Sequence, residues 1–235
     1  MAVPRPVRPA GSRWVPEPGE RVWLVQGCSS GVGTSVVALA LADGFGQGVR
    51  LLETCPVGVS ACAAAPSAGL GADSGWVRGQ RGPLLVEHQE RHLAAVGELP
   101  VPLPNRMAVS VVDSSWDFET LLAADCWLGE IARLSGCVVL VARASVPGLR
   151  RLEACLSLAG VNRCVVALVG VNAKRWPRPV EQALGYTTRQ ARDMGRIVTF
   201  PVDATLAVAG ITQDLLPGPV CGAAGQLINL LKGGI

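Results

Sequence analysis

Residues 21–42, RVWLVQGCSSGVGTSVVALALA, constrain this chain more than any other stretch. They pass from an apolar strand pattern through a glycine-rich loop into an alanine-rich helix pattern. Such a junction turns backbone N–H groups and the positive end of a helix dipole toward one point, and that point attracts phosphate. The loop usually carries a lysine as well. Here it reads Ser29, Ser30, Gly31, Val32, Gly33, Thr34, Ser35, with no lysine. Thr34 stands where that lysine would reach the β- and γ-phosphates, while Ser35 keeps a hydroxyl suited to magnesium. The local fold is legible and the chemistry is open.

The same alternation continues along the chain. Residues 22–26, 49–53, 109–113, 138–142, 165–169 and 197–201 read as strands, four of them continuous apolar runs of the kind covered on both faces. Residues 35–42, 118–135, 147–159 and 179–194 are long enough for helices, with Asp117 and Ser145 as N-caps or turn residues. Strand–helix alternation with right-handed crossovers predicts an α/β fold, a doubly wound and mostly parallel sheet with helices on both faces. Residues 21–235 form the expected single domain. Residues 63–106, rich in Gly, Pro and Ala, are the least readable and are expected to be a loop-and-helix insertion.

Composition narrows the class. With 49% hydrophobic and 17% charged residues, the 235-residue chain can bury a large core. It contains no run of 18 or more apolar residues free of Gly, Pro and charge, so no transmembrane helix or membrane insertion is expected. Residues 1–20 hold Pro4, Pro6, Pro9, Pro16 and Pro18 with Arg5, Arg8 and Arg13 and read as a flexible, extended arm. That segment lacks the apolar core of a signal peptide, which predicts a cytoplasmic protein whose eight cysteines are thiols. No C-x-x-C occurs, and Cys137 and Cys164, which open apolar strands, read as small core residues. His88 and His92 are four apart and would share a helix face as a solvated pair, so no structural zinc site is expected. A net charge of +3 does not by itself argue for nucleic acid.

Five blocks in order resemble the ParA/MinD-type deviant Walker A P-loop ATPases. The loop K-G-G-x-G-K-[ST] of that family corresponds to Ser29–Ser35, and its D-x-D-P strand end to Glu53, Thr54, Cys55 and Pro56. Its Walker B strand corresponds to Ser110, Val111, Val112 and Asp113, a strand ending in a base-proximal asparagine to Val169–Asn172, and the I-P-x-D signature to Phe200–Asp203. The resemblance implies a nucleotide site at Gly31, Val32, Gly33, Thr34, Ser35 and Asn172. It implies Mg2+ at Ser35 and Asp113, switch positions at Glu53 and Cys55, ATP as the cofactor, a homodimer and a protein partner. None of these ligands is expected to be required for folding.

The departures from the pattern bear on activity. The signature lysine is Ser29, the phosphate-contacting lysine is Thr34, and the two switch aspartates are Glu53 and Cys55. A thiol does not replace a carboxylate in orienting water at neutral pH. Each hydrogen bond to a charged group is worth about 1.5–3 kcal/mol, so two lost lysine contacts cost about 3–6 kcal/mol, or about 10²- to 10⁴-fold in affinity. The expected function is a degenerate member with weak or absent ATP hydrolysis, a binding or scaffold module that positions a larger assembly in partition, secretion or DNA transfer. The alternative is an active ATPase for DNA partition with an altered loop, and a third reading is a cleft for another anion.

Two further segments carry expectations. Residues 174–196 hold six basic side chains against Glu181 and Asp193, with Trp176 and Tyr186 among them. Arg175, Arg178, Arg189 and Arg192 are candidate contacts for nonspecific DNA, and a solvated helix face is the competing reading. The C-terminal run around Leu227, Ile228, Leu230 and Leu231 is expected to pack on the sheet and not on a membrane.

Overall fold

The computed structural model describes residues 13–233. Nine strands form one sheet: β1 (Arg21–Gly27), β2 (Val49–Glu53), β3 (Ala68–Asp73), β4 (Trp76–Arg81), β5 (Leu84–Gln89), β6 (Val109–Ser114), β7 (Val138–Arg143), β8 (Cys164–Val169) and β9 (Ile197–Phe200). The helices are α1 (Thr34–Phe45), α2 (Phe118–Ala123), α3 (Trp127–Leu134), α4 (Val146–Ala159), α5 (Arg178–Gln182), α6 (Tyr186–Asp193), α7 (Ala204–Ala209) and α8 (Gly218–Lys232). The strand order is β3-β4-β5-β2-β6-β1-β7-β8-β9. All pairings from β5 to β9 are parallel, and β3-β4-β5 is an antiparallel meander.

Alternating strand residues divide the core in two. Val25, Leu51, Val111, Val139 and Val165 face a cluster shared with α1 and α8. Leu24, Leu52, Val112, Leu140 and Val166 face the other cluster, shared with α3 and α4. Covering both faces is what makes these strands apolar throughout. The expected strands and the doubly wound architecture are present, and Asp117 and Ser145 cap α2 and α4 by accepting from Thr120 N and Gly148 N.

Several expectations are corrected. Within residues 63–106, residues 68–89 form the β3-β4-β5 meander, and 90–106 are loop with one 3-10 turn over Val96–Glu98 and no α-helix. Ser74 and Gly75, at φ 51° and 90°, make a two-residue hairpin turn whose backbone twist suits an antiparallel pair. The glycine-rich β3 has no hydrophobic alternation to reveal it. His88 lies on β5 and His92 in the following loop, so the two share no helix face. The 118–135 stretch is two helices, because the first turn of α3 packs against the end of α2: a Cβ on Gly129 would lie 2.4 Å from the Ala124 carbonyl oxygen. The 179–194 stretch also breaks. Gly185 sits where a Cβ would overlap the Glu153 carboxylate, and Glu153 accepts from Thr187 N at 2.8 Å and Thr188 N at 2.9 Å to open α6.

Of the arm expected over residues 1–20, residues 1–12 lie outside the described part, and in 13–20 Trp14 is buried while Arg13 and Val15 are exposed. Trp14 is buried and meets Trp127 edge-on at 5.4 Å. Its ring lies 5.1 Å from the guanidinium of Arg50, which is wholly buried. Arg50 donates to Glu20 at 3.0 Å, to Ser110 Oγ at 2.6 Å and to the Leu103 carbonyl at 2.7 Å, with Glu87 at 3.6 Å. Of the two strand-opening cysteines, Cys164 is fully buried and Cys137 half-buried. All eight cysteines are free thiols.

No helix among the described residues is long and apolar enough to cross a membrane. Leu227, Ile228 and Leu231 of α8 are buried against α1 and the sheet, and Leu230 is half-buried there. Each buried aliphatic side chain contributes about 1.5–3 kcal/mol, against a total stability of about 5–15 kcal/mol. Truncation after Gly225 should therefore unfold the protein, as read by loss of a cooperative thermal transition. Arg50→Leu leaves Glu20 buried without its cation, while Glu87 keeps Arg78 at 3.1 Å, and should cost about 3–5 kcal/mol in a denaturant titration.

Candidate functional site

Parallel pairing brings the C-terminal ends of β1, β2, β6 and β7 to one edge. After β1 the chain turns into α1 on one face of the sheet. After β7 it turns into α4 on the other. The loops diverge between these neighbouring strands, the switch point where open α/β sheets bind ligands. A cleft of about 330 Å³ lies there, lined by Ser29, Ser30, Val32, Arg143, Ser145 and Arg151 among others.

The loop keeps the backbone of a phosphate cradle. Gly31 and Gly33 have φ of 70° and 97°, a region that side-chain-bearing residues rarely enter. The first bond of α1 runs from Val37 N to Gly33 O at 3.1 Å, and no side chain caps the helix. Its first N–H groups are therefore available to an anion. Gly27 is required by close approach, since a Cβ there would lie 2.5 Å from Thr34 Oγ1. Thr34 is buried against the end of β1, so its side chain packs inward and only its backbone belongs to the cradle. Val32 is buried as well.

Positive charge reaches the loop from elsewhere. Arg143, at the end of β7, lies 3.5 Å from the Gly31 carbonyl, and Arg151 projects from α4 into the same cleft. Sequence reading missed both, because neither belongs to a motif and their approach depends on β7 lying beside β1.

Below the loop, Glu53 and Asp113 sit directly opposite each other in the β2–β6 ladder and point to the α1 side. Both are fully buried. Glu53 accepts from the Ser60 hydroxyl, from Ala61 N at 2.7 Å and from Cys62 N at 2.9 Å. Neither carboxylate oxygen of Asp113 has a hydrogen-bond partner. Burial and then the Glu53 charge push its pKa up to about 7, while the Ser35 hydroxyl acts in the opposite direction. The Cys55 thiol is buried, and desolvation followed by the charges of Glu53 and Asp113 raises its pKa. It stays protonated at neutral pH and cannot accept a proton from water as a carboxylate would.

An orphaned carboxylate beside a helix-opening hydroxyl is a donor pair of the kind Mg2+ takes, with phosphate and water supplying the rest. Ser35 and Asp113 thus fit a nucleotide-bound magnesium ion. Asn172 lies three residues beyond the end of β8, and its side chain accepts from Lys174 N at 3.0 Å in a local turn. Arg175, Arg178, Arg189 and Arg192 are all exposed. Arg189 and Arg192 are three apart on α6, and Arg192 pairs with Asp193 at 3.2 Å. Arg196 is tied to the Val161 and Asn162 carbonyls. Trp176 is half-buried and donates to the Val171 carbonyl at 2.9 Å, whereas Tyr186 is 79% exposed.

No protein-family model matches the sequence, and no curated protein matches it significantly. Solved structures do match its fold. The cell division ATPase MinD of Pyrococcus furiosus superposes with a TM-score of 0.56 at 13% identity, covering 90% of this chain and 99% of the other. The MinC:MinD cell division complex of Aquifex aeolicus gives 0.54 at 14% identity, covering 92% and 97%. A plasmid partition protein of Borrelia burgdorferi bound to AMPPNP gives 0.52 at 13%, covering 91% and 99%. The chain has the fold of the ParA/MinD-type P-loop ATPases over nearly its full length.

Proposed function

We propose that this chain is a degenerate member of the ParA/MinD-type proteins, a binding module that positions a larger assembly and hydrolyses ATP weakly or not at all. The observation that carries this is a phosphate cradle kept in backbone shape whose lysine position is filled by an inward-packed threonine. Hydrogen bonds from the loop amides and the α1 dipole remain for a phosphate group. Arg143 and Arg151 supply charge at the cleft rim, short of the dense cationic contact that phosphoryl transfer needs. Ser35 and Asp113 would hold Mg2+, which when bound neutralises charge between phosphates. Cys55 leaves attacking water without an acceptor.

The solved relatives support the rest by analogy. One is bound to AMPPNP, and one is assembled with the protein MinC. A nucleotide ligand, a protein partner and a homodimer follow for this chain as parts of the proposal, with partition, secretion or DNA transfer as the setting. The active-ATPase alternative draws on the retained Ser35 and Asp113.

Steady-state ATP turnover should sit at background, with affinity in the high micromolar to millimolar range (about, from the lost lysine contacts). Thr34→Lys should tighten binding, and Arg143→Ala with Arg151→Ala should weaken it about tenfold or more. Calorimetric titration reads both. Robust turnover by the unaltered protein, abolished by Asp113→Ala, would establish the alternative.

For the surface, duplex DNA binding through Arg175, Arg178, Arg189 and Arg192 should fall steeply between low and moderate salt and disappear when all four are changed to Ala. Binding that is absent at low salt, or indifferent to the four changes, would remove DNA from the proposed partners.

A further inference from the structure

Beneath the phosphate loop, Glu53, Cys62 and Asp113 bring one sulfur and two carboxylate groups together, with ligand atoms all within 4.8 Å of one another. Three separate parts of the chain produce this. The β2–β6 register sets Glu53 beside Asp113. The loop after β2 folds back so that the N–H of Cys62 bonds Glu53 at 2.9 Å, which delivers the thiol to the same point. Each of the three is wholly buried.

Asp113 supplies the independent sign of a ligand. Both of its oxygens lack a hydrogen-bond partner although they are shut off from water. The groups that act on it are Glu53 and Ser35, with no basic side chain among them. Two buried carboxylates and a thiol without a cation are costly to hold together. The Cys55 thiol is also buried and interacts with Glu53, but it lies outside the set of mutually close ligand atoms.

The donor set selects the ion class. A thiolate with carboxylates suits a borderline-soft cation of the zinc type, with metal–sulfur bonds of about 2.3 Å and metal–oxygen bonds of about 2.0–2.2 Å. Tetrahedral bonds of those lengths put ligand atoms about 3.2–3.8 Å apart, so a cluster spanning up to 4.8 Å needs to contract by at most about 1.0–1.6 Å. Magnesium prefers oxygen and retains several waters, which a closed pocket with thiols does not offer. We infer that Glu53, Cys62 and Asp113 form a three-residue binding site for a zinc-class divalent cation.

Binding forms a metal–sulfur bond and releases the Cys62 thiol proton to solvent. The ion would tie the ends of β2 and β6 to the loop that carries Cys62. The outer positions Gly58, Val59, Ala61, Ala63 and Ala64 of that loop are exposed, so it separates the site from solvent. A bound ion would engage Asp113, so zinc here and nucleotide-bound magnesium at Ser35 and Asp113 would exclude each other. The two ions share Asp113, so the zinc titration below is run without nucleotide.

Full-length protein, stripped with a chelator and dialysed, is titrated with ZnCl2 and separately with CoCl2. The expected result is one ion per chain, a rise in melting temperature, and a cobalt spectrum with a thiolate-to-metal charge-transfer band. Millimolar MgCl2 should neither reproduce nor compete with it. Cys62→Ser should remove the charge-transfer band, and Asp113→Asn should weaken binding by at least the roughly tenfold that loss of a supporting group costs. Asp113→Asn removes an unpartnered charge, so it should stay folded and carry the test if Cys62→Ser does not. Absence of stoichiometric binding would overturn the inference. So would a folded Cys62→Ser or Asp113→Asn protein that binds both ions as tightly as the parent, because the ion would then sit elsewhere.

Discussion

The parallel ladder of β2, β6 and β1 is the constraint on which the ligand-facing edge depends. Its register sets Glu53 against Asp113 and Gln26 against Ser114. It also fixes the height of the glycine loop above them. Parallel strands present every C-terminal end on the same side, so one edge collects the loops while the other only connects elements. A register slip of one residue would turn both carboxylates away from α1 and replace them with their neighbours on the opposite face. The apolar residues of β1, β2 and β6, each committed to one of two cores, prevent that slip.

Charge is distributed unusually around this ladder. At the end of the strands away from the loop, Arg50 is buried with Glu20, Glu87 and Ser110 and is covered by Trp14. Opposite charges there neutralise each other, and hydrogen bonds occupy most of the guanidinium. At the loop end the negative groups have no such partner. Breaking the Arg50 network would leave Glu20 buried without a cation, Glu87 keeping Arg78, whereas Asp113 already has no basic side chain acting on it. The contrast separates a structural ion network from a place shaped for a positively charged ligand.

The loop above the cluster contains no lysine, yet its backbone is shaped to present N–H groups. Positive-φ glycines and an uncapped helix still present N–H groups, and the arginines at the rim come from β7 and α4. Binding and catalysis separate under such changes. Backbone amides contribute to holding a phosphate in any state, while charge that develops during transfer needs side chains aimed at it.

Much of this architecture is written in local pattern. The apolar runs of the central strands, the glycines of the loop and the caps at Asp117 and Ser145 act over a few residues, and each appears where the sequence places it. The β3-β4-β5 meander did not, because its edge strand is built of glycine and alanine and its hairpin turn rather than its periodicity defines it. Helix breaks near Gly129 and Gly185 were hidden for a similar reason: a carbonyl and a carboxylate that are distant in pattern occupy the space a side chain would need. Tertiary structure alone decided that Arg143 would reach the loop, that Arg50 would be enclosed by Trp14, and that Cys62 would join Glu53 and Asp113. Those meetings join segments far apart along the chain, and sequence periodicity carries no information about which distant segments pair or in which register.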